Sequence, residues 1–305
     1  MITTTDLTCT FGRRRPVTPL RGITQTFPDG RVTYVLGLNG TGKSTLLRLL
    51  CGVRRPTAGR VLVDGRAPDA WPAPGRRTGM FLDTAAVHPG HTGRRHLRWL
   101  AAASGLDAAE ADRRLTDVGL DVVADDAVSG YSLGMRQRLG IAGALLGDPP
   151  NVILDEPLNG LDIAGVLWLR RLLRGLAADG RCVIVASHHL SEVELSADAV
   201  MLLEAGHTVA AGPLDEVRGE HSSLEDSVVA LVPRAAGSAE VRRGVRSCVG
   251  PGPRPCVSAD AGDRCSGRPS PWVWSSRCWS VLLSPPSQRS CTAIRETGPV
   301  DSARP

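Results

Sequence analysis

The chain has 305 residues, 42% apolar and 22% charged, enough to bury one large core or two small ones. Its formal charge of +5 is uneven: residues 232–305 hold eleven Arg against five Asp and Glu, a net of +6, which leaves about −1 for residues 1–231. A near-neutral main part argues against a general nucleic-acid binder, and no run of eighteen apolar residues is present to form a membrane-spanning helix.

Residues 1–11 lack the basic start and apolar stretch of a signal peptide, so a cytoplasmic protein is expected. Residues 32–36 predict a buried strand, after which 37–42 turn into a helix that begins near Lys43 and ends at Gly52. Residues 61–63 and 80–82 predict further strands. From about 84 to 150 the chain is mostly helical: Thr92 caps a helix running to Gly105. Asp107 with Glu110 forms a capping-box pattern for a second helix that stops at Gly119, and a third runs from near Ser132 to Leu146. Residues 152–154 and 183–186 predict buried parallel strands, and 200–203 with 208–210 predict a hairpin around Gly206. Strands that alternate with helices give a parallel sheet with its ligand at the strand carboxyl ends.

Beyond residue 231, Arg, Ser, Pro, Gly, Cys and Trp dominate without a period of 2 or 3.6. That composition predicts a disordered or linker-like tail over 232–305; a GC-rich gene translated out of frame would give the same residues. Cys9, Cys51 and Cys182 are scattered, and Cys248, Cys256, Cys265, Cys278 and Cys291 show no CxxC spacing, so neither a zinc site nor a disulfide framework is expected. His88, His91 and His96 also lack metal spacing, and solvated or capping roles are expected for them.

Among 36 Lys and Arg residues a single lysine occurs, Lys43, and it completes Gly37-Leu38-Asn39-Gly40-Thr41-Gly42-Lys43-Ser44. This is the P-loop pattern GxxxxGK[ST], with Thr45 next in line. Its glycines let backbone N–H groups cradle phosphates at a helix N-terminus. Lys43 would meet the β and γ phosphates of ATP, and the Ser44 hydroxyl would ligate Mg²⁺. Asp155 and Glu156 follow an apolar strand; Asp155 is placed to hold Mg²⁺ and Glu156 to deprotonate the attacking water.

Together these motifs resemble the ATPase subunits of ABC transporters. Tyr131-Ser132-Leu133-Gly134-Met135-Arg136-Gln137-Arg138 is similar to that family's signature. Ser132 and Gly134 stand in place, while Tyr131, Leu133 and Met135 depart from the common letters. The resemblance implies that Ser132 and Gly134 face the γ-phosphate held by a second ATP-binding subunit. It also implies that residues 158–162 form a loop against that subunit, with Asp162 capping the next helix. His188 would contact the γ-phosphate, with His189 a bystander. Asp83 would stand where the family usually has a Mg²⁺-contacting Gln, and Phe11 would stack on adenine, although a plain core role fits Phe11 nearly as well.

The resemblance covers residues 1–231 and implies an α/β fold: a P-loop NTPase core with a mostly parallel sheet, an N-terminal β subdomain and the helical insert. The irregular tail completes the chain. It implies an ATPase that dimerises, as homo- or heterodimer, and drives a separately encoded permease from the inner face of the membrane. The run Ser187-His188-His189-Leu190-Ser191-Glu192-Val193-Glu194 is similar to bacterial drug or antibiotic exporter subunits. Non-transport ABC ATPases carry coiled coils or paired ATPase domains that this chain does not show. A catalytically weak nucleotide-binding partner is the remaining alternative, and intact Lys43, Asp155, Glu156 and His188 argue against it.

Overall fold

The computed structural model describes residues 1–12, 14–82, 87, 88 and 90–232. The expected tail therefore lies outside the described residues except for Val232, and so does Asp83. Nine strands are described: β1 (Ile2–Phe11), β2 (Val17–Phe27), β3 (Arg31–Leu36), β4 (Ala58–Val63), β5 (Thr78–Phe81), β6 (Asn151–Asp155), β7 (Cys182–Ala186), β8 (Ala199–Glu204) and β9 (His207–Pro213). The helices are α1 (Lys43–Leu50), α2 (Pro74–Arg77), α3 (Gly93–Ala103), α4 (Ala108–Asp117), α5 (Leu133–Ala144), α6 (Ile163–Ala178), α7 (Leu190–Ser196), α8 (Leu214–Arg218) and α9 (Leu224–Leu231).

The strands form two sheets. One is antiparallel, in the order β2-β1-β4, and is the expected N-terminal β subdomain. The other runs β5-β6-β7-β3-β8-β9 and is parallel except for its β8–β9 edge hairpin. Successive side chains of a strand point to opposite faces, and the central strands divide their apolar residues accordingly. Tyr34, Leu154, Val185 and Leu202 pack on one face with Leu169 and Leu173 of α6. Val35, Ile153, Ile184 and Met201 pack on the other with Leu46 and Leu50 of α1 and Leu7 and Phe27 of the antiparallel sheet. Burial on both faces explains why these segments are apolar without alternation.

The insert folds around its own core of Leu97, Leu115, Tyr131, Leu139 and Leu146. Thr92 and Ser132 cap α3 and α5 as expected, their side chains accepting from Arg95 N and Met135 N. The capping box at α4 is only half made. Asp107 accepts from Ala109 N at 2.8 Å. Glu110 is buried instead, ion-paired with Arg113 and Arg114 and accepting from Gly147 N, so its oxygens do not reach back. His96 corrects another expectation, because it is neither solvated nor capping but 8% exposed. His88 does brace its turn, accepting from Gly90 N at 3.1 Å.

Two glycines should respond to Ala in opposite ways. A Cβ at Gly79 would overlap the Ala144 carbonyl oxygen, whereas Gly175 within α6 has nothing within 4 Å. Gly79→Ala should cost about 1–3 kcal/mol or more, and Gly175→Ala should add about 0.5–1 kcal/mol; denaturant unfolding measures both. Burial, with His91 adding to it, lowers the His96 pKa from 6.5 to about 4. The unfolded chain then binds the extra proton between those values, so stability falls as pH drops from about 6.5 to about 4, by on the order of a few kcal/mol. His96→Leu should flatten that slope, and an unchanged pH dependence would contradict the assignment.

Candidate active site

The site is made where three parallel strands end side by side. Asp155 at the end of β6 and Val35 near the end of β3 both pair with Ala186, the last residue of β7. This register brings Lys43, Glu156 and His188 to one edge of the sheet. The loop 37–42 enters α1 through Gly42 at φ +111, where a Cβ would overlap the Pro19 carbonyl oxygen of β2; only glycine lets the loop lie this close. Lys43 is 7% exposed, and its ammonium donates to Gly37 O at 2.6 Å and Leu38 O at 3.3 Å. Thr41 braces the loop by donating from Oγ1 to Leu38 O at 2.9 Å. Leu38, Asn39 and Gly40 are exposed, and Ser44 and Thr45 are half-buried.

Glu156 is the hub. Its Oε2 lies 2.9 Å from His188 Nδ1 and its Oε1 3.9 Å from Lys43 Nζ. Its backbone sits at φ +48, a left-handed conformation that costs a non-glycine residue on the order of 1–3 kcal/mol. Three hydrogen bonds hold it there. Its N–H donates to Ala186 O at 3.0 Å, and its C=O accepts from Gln137 Nε2 at 2.9 Å and from Asn159 N at 3.2 Å.

Asp155 is the second anchor. Burial raises its pKa and the neighbouring Glu156 charge adds to this, against a hydrogen bond from Ser44 and the charges of Arg48 and Lys43. Its Oδ1 is buried without a hydrogen-bond partner among the described residues. An unmet carboxylate oxygen beside a hydroxyl is the hard-oxygen donor set that Mg²⁺ takes, so Ser44 and Asp155 fit that ion. An open cleft of about 220 Å³ lies over Ser44, Asp155 and Glu156, walled by Leu133, Gln137 and Asn159.

Ser132, Gly134, Asp162 and Phe11 make their contacts elsewhere, while His189 lies beside the hub. Ser132 and Gly134 are at the start of α5, where Ser132 Oγ accepts from Met135 N at 3.1 Å. Asp162 caps α6, accepting from Gly165 N at 2.7 Å. Phe11 ends β1 against the core of the antiparallel sheet, with the Arg54 guanidinium 3.8 Å from its ring centroid. His189 stacks on His188, ring centroids 4.1 Å apart, and its Nε2 lies 3.4 Å from Asn159 Oδ1. Sequence reasoning missed Gln137 and Arg54. The signal for Gln137 was an amide between two arginines, one helical turn past Leu133; Arg54 had none.

Residues 20–159 match the family described as ABC transporter. The chain is 31% identical over 210 residues to the lantibiotic transport ATP-binding protein SrtF of Streptococcus pyogenes, covering 68% of this chain and 89% of that one. It is 36% identical over 225 residues to the bacitracin transport ATP-binding protein BcrA of Bacillus licheniformis, covering 72% and 71%. An uncharacterized ABC transporter ATP-binding protein of Nostoc is 35% identical over 221 residues, 70% of this chain but 65% of the Nostoc protein. Among solved structures, an ATP-binding subunit of an ABC transporter superposes with a TM-score of 0.69 at 28% identity, over 76% of this chain and 99% of the other. A dimeric bacterial ABC transporter cassette superposes at 0.64 and 21% identity, over 70% and 99%, which shows a shared fold.

Asp155→Asn removes a buried charge with an unmet oxygen. Without ligands the variant should be as stable as the unsubstituted chain or up to about 1–2 kcal/mol more stable. The stabilisation given by Mg²⁺ with ATP, about 2.7 kcal/mol at a hundredfold excess over Kd, should shrink. Thermal unfolding with and without Mg²⁺ and ATP tests this; a weakened ligand-free variant with a full ligand response would refute it.

Proposed function

The chain belongs to the ABC transporter family of ATP-binding proteins, and on that premise we propose that it hydrolyses ATP in a dimer that drives a separate membrane permease. The observation that carries this proposal is Glu156 held over the cleft between His188 and Lys43. Phosphoryl transfer asks chiefly for positioning and charge stabilisation, and this edge of the sheet supplies both. The backbone N–H groups of residues 37–42 and the N-terminus of α1 take the phosphates. Lys43 exchanges its carbonyl contacts for the β and γ phosphates. Glu156 accepts a proton from the attacking water, and His188 contacts the charge that develops on the γ-phosphate.

Mg²⁺, held by Ser44 and Asp155 with Asp83 as a further ligand, supplies neutralising charge to the phosphate oxygens when bound. Phe11 takes the adenine, on the ring face that Arg54 leaves or after Arg54 moves. Ser132 and Gly134 serve the γ-phosphate of the second subunit, and Asp162 lies at the same contact. No described helix is long and apolar enough to cross a membrane, which supports a subunit that reaches the inner membrane face through its permease. The lantibiotic and bacitracin relatives favour export of an antibiotic-like molecule.

We place the working unit in residues 1–231. That fragment should hydrolyse ATP with Mg²⁺, and Glu156→Gln should cut turnover by about 10²–10⁴-fold while trapping an ATP-bound dimer on gel filtration. ATP binding without turnover in the unsubstituted fragment would point to a weak partner subunit, and no ATP binding would defeat the proposal.

A further inference from the structure

Gln137 makes a contact that neither the motifs nor the family match explains. It lies on α5, one turn beyond Leu133, and is 2% exposed. Its Nε2 donates to the backbone carbonyl of Glu156 at 2.9 Å, across 19 residues of sequence. Its Oε1 is buried with no hydrogen-bond partner among the described residues. A buried amide that makes one of the four hydrogen bonds open to it is a poor choice for stability alone. The single bond it does make reaches the one non-glycine residue of the site whose backbone is left-handed.

We propose that Gln137 is a positioning residue for the catalytic carboxylate, a role that rests on the hydrolytic function given above. The Glu156 side chain leaves a Cα whose preceding peptide is tied to β7 through Ala186 O. Its following peptide is tied to α5 through Gln137 at 2.9 Å, with a longer bond of 3.2 Å from Asn159 N–H. With both peptides fixed, the carboxylate is aimed at His188 and Lys43. Without the Gln137 bond the second peptide keeps only the longer 3.2 Å bond from Asn159 N–H and can relax toward an ordinary conformation, which swings the carboxylate off line. A misplacement of about 1 Å can cost about 10²-fold in rate. Because Gln137 and Leu133 wall the same cleft, this bond also makes the start of α5 part of the support for Glu156.

The test uses the full 305-residue chain with Gln137→Met, which keeps the shape and removes the amide. Expected is a fall in kcat of about 10–100-fold, with KM for ATP changed less than about twofold. The unfolding midpoint should stay near that of the unsubstituted chain, since the amide takes an unmet acceptor away with its one bond. In a Glu156→Gln background the substitution should add almost nothing, as expected of residues acting as one unit.

Gln137→Glu supplies the second readout. Its carboxylate repels the Glu156 carbonyl when ionised but donates to it when protonated. Its rate relative to the unsubstituted chain should therefore recover as pH falls from about 8 to about 6, burial raising the introduced carboxyl's pKa. An unchanged kcat in Gln137→Met, or losses in kcat, ATP affinity and stability that move together, would overturn the positioning role. Absence of turnover in the unsubstituted chain would count against the hydrolytic function itself, a separate failure.

Discussion

The register of three parallel strands is the constraint on which the rest depends. Parallel pairing permits no local slip without turning every side chain to the opposite face. Here both faces are buried, one against α6 and one against α1 and the antiparallel sheet. Ala186 is therefore locked opposite both Val35 and Asp155, and the three strands must end level. The glycine-rich loop, the acidic pair and the histidine then share one edge, although 112 residues lie between Lys43 and Glu156. No contact among those groups creates this arrangement; the two-faced apolar core does. The core also holds Glu156 in its left-handed backbone, because the carbonyl that receives its N–H belongs to β7.

Much of this was legible in the sequence, for reasons that differ between elements. The buried strands announced themselves as short β-branched runs, and the structure places β3, β6, β7 and β8 over the expected residues within one or two positions. Helix starts were legible where a side chain does the capping, at Thr92, Ser132 and Asp162. Glu110 was misread because two nearby arginines and a backbone N–H compete for the same oxygens, and local spacing carries no sign of that competition. His96 was misread for a related cause. Its place on the buried stripe with Gly93, Leu97 and Ala101 follows the helix period, but a polar ring on that stripe gives no sign of whether it is buried or reaches solvent.

The active site divides along the same line. Lys43, Ser44, Asp155 and Glu156 lie in contiguous motifs whose chemistry dictates their spacing, so they could be read. The Gln137 bond to Glu156 and the Arg54 guanidinium over Phe11 join segments far apart in the chain. Each required the fold before it could be seen. Asp83, the expected third oxygen ligand, lies outside the described residues.

The departures in the signature segment acquire a physical meaning once α5 is considered as one face. Leu133 and Gln137 are four residues apart and so project from the same side of the helix. Leu133 packs where Gly160 carries no side chain: Gly160 sits at φ +76, and a Cβ there would overlap the Leu133 side chain. Gly134 is also fitted tightly, though less so, a Cβ on it falling 3.0 Å from the Gly160 carbonyl oxygen. Leucine at position 133 is thus accommodated by glycine in the loop that follows Glu156, and Tyr131 is anchored by its hydroxyl donating to Val123 O at 2.6 Å. One helical face grips both the carbonyl of Glu156 and the loop four residues beyond it. Any force that shifts the start of α5 must therefore be felt at Glu156 through two contacts, one polar and one apolar, one turn apart. Under the proposed function, in which hydrolysis is linked to movement elsewhere, that double grip gives α5 a direct mechanical path to the proposed catalytic base.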